Sequence, residues 1–413
     1  MKSKANQRSL RTACAAGEPH RSHENNGANT RMNINCQYRP ENGRLTGGDG
    51  HIASLAFWGL LAVGLFGFAV LAFKFWPYTM DDSYITFRYA RNFGAGHGLV
   101  FNLGEQPRAE GITSPLYAII LSLTPVGIEL PTVSKWLGLL SVSLTASFIG
   151  FLIFKLCQCL TSLQRPALLV MSVAGACYYL LNPYIVGNAV SGMETSLSCL
   201  AVAAFLFCLL HVSLSNDQPR VSLLFITGAT GTIVPMLRPE MGLFVIVSIL
   251  SFGLLAPDRR WHTFIILCIF VGLGTLYFLA RYTYYQMMLP LPFYIKQGGR
   301  GLYGLSDLSQ YIRHALLLIV GMYACLAFAC ARNVSTTRRV NMFLLACIAA
   351  IACQLAYYAS IRHIMGFGLR YFQPVSVAIV VIGFVGAGCV YGLLNASRCR
   401  NRQSNFFSVK VSA

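Results

Sequence analysis

Carboxylates are scarce in this chain, with 14 Asp and Glu among 413 residues against 32 Lys and Arg. Charged residues of every kind reach only 11%, where soluble domains carry about 25%. With 55% hydrophobic residues and a mean hydropathy of +0.57, this shortage excludes an ordinary soluble domain and leaves a multi-span membrane protein. Also lacking is a Gly-rich fingerprint between a strand pattern and a helix, so nothing suggests a Rossmann-type nucleotide site. No internal repeat is visible, and no small-residue cleavage site follows the first apolar run, which therefore reads as a retained span. The 14 cysteines lie mostly inside apolar runs. Cys157 and Cys159 form a C-x-C without partners for zinc, so the cysteines read as small buried hydrophobes.

The formal charge of +18 does not imply nucleic acid, because the basic residues sit in the tails and in short loops between apolar runs. Residues 1–50 are polar, basic and aperiodic and read as a disordered cytoplasmic leader, within which Met32 offers a second start. Ten runs suit membrane helices: 52–75, 134–154, 166–182, 189–212, 222–237, 241–256, 262–280, 314–331, 341–360 and 372–394. The stretch 113–128 is shorter and broken by Pro115 and Pro125. Treated as an interfacial or re-entrant helix, it leaves Lys155, Arg165, Arg220, Arg259, Arg260, Arg332, Arg338 and Arg339 on the cytoplasmic side, as the positive-inside rule requires. The fold class expected is thus all-α and polytopic, with a transmembrane domain over 51–396, a catalytic outer loop over 77–112 and a cytoplasmic tail over 397–413.

Acidic residues barely influence topology, so their distribution is an independent clue. Beyond the leader, Asp217 and Asp258 fall inside, whereas Asp81, Asp82, Glu105, Glu110, Glu194, Glu240 and Asp307 fall at or near the outer face. Asp81 and Asp82 stand just past the first span, ahead of Arg88, Arg91 and the Gly94–Gly98 stretch that contains His97. Such a carboxylate can accept the proton of an attacking sugar hydroxyl while its neighbour orients it or holds a cation. Two Asp residues at a helix start would also suit the helix dipole with no chemistry at all. The pair could hold Mg²⁺, Mn²⁺ or Ca²⁺ through oxygens, with Glu110, Glu194 or Glu240 completing the site, but the sequence requires no cofactor. Arg88, Arg238, Lys296 and Arg370 are the cations suited to a donor phosphate. The segments around them, 182–195, 237–240, 281–296 and 362–374, also supply Tyr285 and His363. Interfacial anchoring by Tyr, and Arg snorkelling to the headgroups, is the bland alternative for each residue taken singly.

The segment DDSYITFRYARNFGAGHGLVFNLGE followed by EGITSPLY resembles the first outer loop of the membrane-embedded GT-C glycosyltransferases. The nearest likeness is to terminal arabinofuranosyltransferases of actinobacterial arabinan and the related pilin arabinosyltransferases. It continues in order through SGMET (191–195), RPE (238–240), YYQMMLPLPFYIK (284–296) and RYFQP (370–374), spanning roughly residues 55–394. Met287, Met288 and Leu291 depart from the small polar residues usual there, which bears on the sugar more than on the reaction. The resemblance implies interfacial helices in the first outer loop and a multi-pass protein of the bacterial inner membrane with a periplasmic site. It further implies a polyprenyl-phosphate sugar donor and an inverting transfer with Asp81 as general base and Asp82 in support. Because the chain ends just after its last span, acceptor recognition is expected in the loops, which favours a pilin or a short envelope glycan. The competing reading, a transporter or flippase of a lipid-linked sugar, would call for inverted repeats and mid-membrane carboxylates.

Overall fold

The computed structural model describes residues 47–411 except 126, 216–217, 293–301, 332–334, 362 and 364–365. Most of the expected leader lies outside the described residues, as do Lys296, Arg332, Arg362 and Asp217. The helices are α1 (Gly47–Phe75), α2 (Asp81–Gly94), α3 (Pro115–Ser122), α4 (Leu130–Leu160), α5 (Arg165–Leu180), α6 (Pro183–Ala189), α7 (Thr195–Leu214), α8 (Val221–Leu237), α9 (Gly242–Leu255), α10 (Arg260–Tyr285), α11 (Leu305–Ala331), α12 (Ser335–Ser360) and α13 (Gln373–Val411). No strand occurs among the described residues. The protein is an all-α polytopic membrane protein.

Each of the ten apolar runs folds as helix, but they are not equivalent. Among the described residues seven helices are long and apolar enough to cross a membrane, and an eighth results if α5 and α6, bent by 59°, count as one broken span. The remaining two, α8 and α9, have 17 and 14 residues. At 1.5 Å per residue they reach only about 25 and 21 Å, short of a hydrocarbon core of about 30 Å. An expectation of ten spans therefore depends on α5–α6, α8 and α9. The 113–128 stretch contains only the eight-residue α3, too short to cross, and it packs against α2. The backbone of α13 continues as helix through Val411, well into the expected tail.

Helix starts follow local chemistry. Proline occupies the first turn of α3, α4, α5 and α6, where its missing N–H costs no hydrogen bond. The Asn182 side chain accepts from the N–H groups of Tyr184 and Ile185 and caps α6. Burial then sorts the helices: two-thirds of α7 and 61% of the apolar part of α13 are inside, against 11% for α1 and α10. The center of the bundle is built from α4, α7 and α13, with large buried side chains such as Phe205, Ile149 and Leu152. Along α11 and α13 the backbones nearly touch, because a Cβ at Gly386 would overlap the Gly321 carbonyl. Small residues at such a crossing permit close packing in lipid, where association is not driven by the hydrophobic effect.

Contacts at the two ends of the bundle divide the loops. At one end, the ends of α7, α10 and α12 meet where Arg259 and Arg339 donate to the Ser215 carbonyl, with Asp258 3.3 Å from Arg339. At the other end, the start of α2 meets the α6–α7 junction and the segment before α13, and the α6–α7 junction in turn meets the α8–α9 junction through Glu194 and Arg238. The acidic residues set apart in the sequence gather at this second end.

Candidate active site

The linker from α1 to α2 is held where Met80 N–H donates to the Ser191 carbonyl at 2.9 Å. Ser191 opens the turn that enters α7, and Gly192 in that turn takes φ +86°. A side chain there would press on Ser83 as well as strain the backbone. This joint fixes the N-terminus of α2 against the N-terminus of α7. Asp81 and Asp82 begin α2, which has no side-chain cap. Asp82 N–H donates to Asp81 Oδ1 at 2.9 Å, leaving Asp81 exposed and Asp82 partly buried. The helix N-terminus favours both negative charges.

Facing them is Arg370, whose side chain is 5% exposed and whose Nη2 lies 3.6 Å from Asp82 Oδ2. Its Nη1 reaches the Met80 sulfur at 2.9 Å, and its Nε has no hydrogen-bond partner among the described residues. The neighbouring Tyr371 ring lies 5.6 Å from the Arg370 guanidinium and 5.3 Å from that of Arg238, with His363 stacked on it at 4.9 Å. Arg238 is engaged on every side: Nε is 3.1 Å from Glu194, Nη1 donates to Glu240 at 2.9 Å and Nη2 to Thr195 Oγ1 at 2.8 Å. Burial alone would lower the Arg238 pKa, but Glu194 and Glu240 outweigh it and keep the group charged. Asp82, Arg370, Arg238, Glu194 and Glu240, read separately from the sequence, thus belong to one chain of contacts linked through Tyr371.

The other residues singled out in the sequence go elsewhere. Glu110 is fully buried, and its two oxygens lie 2.9 and 2.7 Å from Nε and Nη2 of Arg281. Burial pushes the Glu110 carboxyl above its ordinary range, and Arg281 pulls it only partly back. Arg281 also donates to the Met288 carbonyl, and Leu291 N–H donates to the Glu110 carbonyl, so this pair fastens the first loop to the end of α10. Tyr285 does the same by donating to the Leu99 carbonyl at 2.8 Å. Arg88 is exposed, donates to the Phe101 carbonyl and lies 4.3 Å from the Phe101 ring, which places it on the loop's own surface. Among the described residues no group of three or more His, Cys, Asp or Glu could hold a metal ion. Glu110, Glu194 and Glu240 are instead committed to arginines.

Sequence reasoning missed Arg281, Thr195, Tyr371 and Lys135. Arg281, a lone arginine closing the 262–280 run, and Lys135, a cation at the start of the 134–154 run, were legible as costly charges at membrane ends. Tyr371 carried no signal beyond its place in RYFQP.

Comparison with known proteins adds a family likeness. Over 251 residues, 57% of the chain, it is 29% identical to a terminal β-(1→2)-arabinofuranosyltransferase of Corynebacterium glutamicum, covering 35% of that protein. It is 28% identical over 229 residues to the Mycobacterium tuberculosis protein of the same name, covering 33% of it. The match therefore spans about a third of each relative. No family model matches, and no solved structure does. The chain resembles actinobacterial arabinofuranosyltransferases.

Proposed function

We propose that this end of the bundle transfers a sugar, with inversion, from a polyprenyl phosphate to a hydroxyl acceptor. The arabinofuranose donor is suggested by the names of the relatives, and the acceptor class is a pilin or short envelope glycan. In this reading the fold is of the GT-C kind, with the site opening on the periplasmic face of the inner membrane.

The observation that carries the reading is the exposed Asp81 next to Asp82, whose carboxylate faces a buried Arg370 with an unengaged Nε. An acceptor O–H places its proton on the Asp81 carboxylate while its oxygen forms the bond to the anomeric carbon. The bond from that carbon to the phosphate oxygen breaks, and polyprenyl phosphate leaves with the added negative charge. Arg370 is suited to meet that charge, since a buried guanidinium with a free donor offers a charge-assisted hydrogen bond. Asp82 orients Arg370, and Arg238, balanced by two carboxylates, supports Tyr371 beneath it. Glu194, Glu240 and Glu110, which a metal reading would add to Asp81 and Asp82, are paired with arginines, and the transfer step is written with the protein's own side chains.

The test is transfer by the purified protein from synthetic polyprenyl-phosphoryl arabinofuranose to a short arabinoside and to a pilin peptide. Asp81→Asn should reduce turnover by about 10²–10⁴-fold while donor binding persists. Full activity in that variant would remove Asp81 as the base. Failure to bind this donor would remove arabinofuranose as the sugar and point to a different lipid-linked sugar.

A further inference from the structure

Two consecutive residues directly ahead of Arg370 are left-handed: Gly368 has φ +60° and Leu369 has φ +54°. Glycine takes that region freely, whereas a bulky, buried residue such as Leu369 enters it at a cost. Such a turn persists only where its surroundings hold it, and strain of this kind gathers where a functional side chain has to be aimed.

Two carboxamides hold this one. Asn188 Nδ2 donates to the carbonyls of Tyr184 at 2.9 Å and Gly368 at 3.1 Å. Gln373 Nε2 donates to the same two carbonyls at 2.7 and 3.3 Å. Because every one of these partners is a carbonyl oxygen, each amide presents its nitrogen. The bond from Asn188 to Tyr184 is the ordinary return of a helical side chain to the carbonyl one turn back. The bond to Gly368 is not, since it joins α6 to a segment 180 positions further along. The fit is close: Asn188 is 4% exposed, and a Cβ at Gly368 would stand 2.9 Å from its Nδ2. The main chain of Asn188 leads the other way. Its carbonyl accepts from Ser191 Oγ at 2.8 Å and from Ser191 N–H at 3.4 Å. The Ser191 carbonyl in turn holds the Met80 N–H, one residue before Asp81. A single residue thus stands between the turn that presents Arg370 and the joint from which α2 begins.

We propose that Asn188 is a positioning residue, fixing where the Arg370 guanidinium stands relative to Asp81 and Asp82; the chemistry it serves rests on the transfer reading above. Its amide donates to main-chain carbonyls, so it acts on the reaction through Arg370. With the Gly368 carbonyl released on one side, the turn relaxes and the guanidinium draws away from Asp82 and from the leaving phosphate. A shift of about 1 Å at such a group can cost about 10²-fold in rate.

The experiment uses the full chain in nanodiscs, with synthetic polyprenyl-phosphoryl arabinofuranose as donor and a short arabinoside as acceptor. Asn188→Leu is near-isosteric and removes the amide, while Gln373 still bonds both carbonyls and keeps the fold. It should lower kcat about tenfold and leave the donor KM within about twofold of wild type. On an Arg370→Gln background the same change should cost nothing further, because residues that act through one group are not additive. Gly368→Ala, which presses on Asn188 Nδ2 from the opposite side, should repeat the loss in kcat. Structures of wild type and Asn188→Leu by electron cryomicroscopy should show the Arg370–Asp82 contact opened beyond 3.6 Å, with the Met80–Ser191 joint intact. An unchanged kcat in Asn188→Leu, an equal loss on both backgrounds, or an unmoved Arg370 would overturn the proposal. A displaced Arg370 in a protein whose wild type transfers no lipid-linked sugar would keep the hold of Asn188 on Arg370 and defeat the transfer reading.

Discussion

Two ion clusters join the first loop to helices distant in sequence, and they are built in opposite ways. Glu110–Arg281 is closed, because both carboxylate oxygens meet one guanidinium in a fully buried setting and the backbone around them is bonded as well. Asp82–Arg370 is open, with a 3.6 Å contact, a sulfur acceptor and one guanidinium N–H left over. A closed pair can do little except hold. An open one has capacity for something else. Desolvating charge is costly, so an incompletely satisfied buried arginine beside a partly buried carboxylate is better suited to a substrate than to stability.

The comparison breaks first at its closed half. Arg281→Ala would leave a buried carboxylate alone and should cost about 3–5 kcal/mol of stability, read as a lower melting temperature in detergent. An unchanged melt with lost transfer would instead move Arg281 into the site. At the open half, Arg370→Gln should lose one charge-assisted contact, about 1.5–3 kcal/mol. That effect should fall on kcat and kcat/KM of transfer, since the contact strengthens as charge develops on the leaving phosphate, while the melt stays near wild type.

A pH series sharpens the contrast. Since burial raises the Glu110 pKa above its ordinary 4.5, the folded state holds that proton more tightly than the unfolded. The stability from this source is complete below 4.5 and is lost as pH rises through the folded value. Wild type should therefore melt progressively lower as pH rises above 4.5, in a step that Glu110→Gln lacks. The smallest effect belongs to Arg88→Ala, an exposed contact on the Phe101 ring worth about 0.5–1 kcal/mol, with transfer nearly intact.

Much of the fold was legible because lipid allows few solutions. A run of about 20 apolar residues has to become a helix that satisfies its own backbone, and each of the ten runs did. What resisted was the join between two of them: α8 ends at Leu237 and α9 begins at Gly242, around a short 3-10 turn at Pro239–Met241. The site was legible in its ingredients. Carboxylates are rare enough here that each outer one stood out, and Asp82, Glu194 and Glu240 do meet arginines. Which arginine each would meet was not visible, since Glu110 and Arg281 are 171 positions apart and Tyr371 had no distinguishing chemistry until two guanidinium groups lay against it.

The sequence by itself determined the solvent this protein folds in, its helical content and the side of the bundle on which acid accumulates. Those follow from composition and from periodicity, which are local and need no knowledge of contacts. Only the tertiary structure decided that one glutamate is sealed by Arg281 while Asp82 faces an arginine with a donor to spare. Pairing depends on distances between helix ends far apart in the chain, and those distances are set by how α2, α7, α10 and α13 pack.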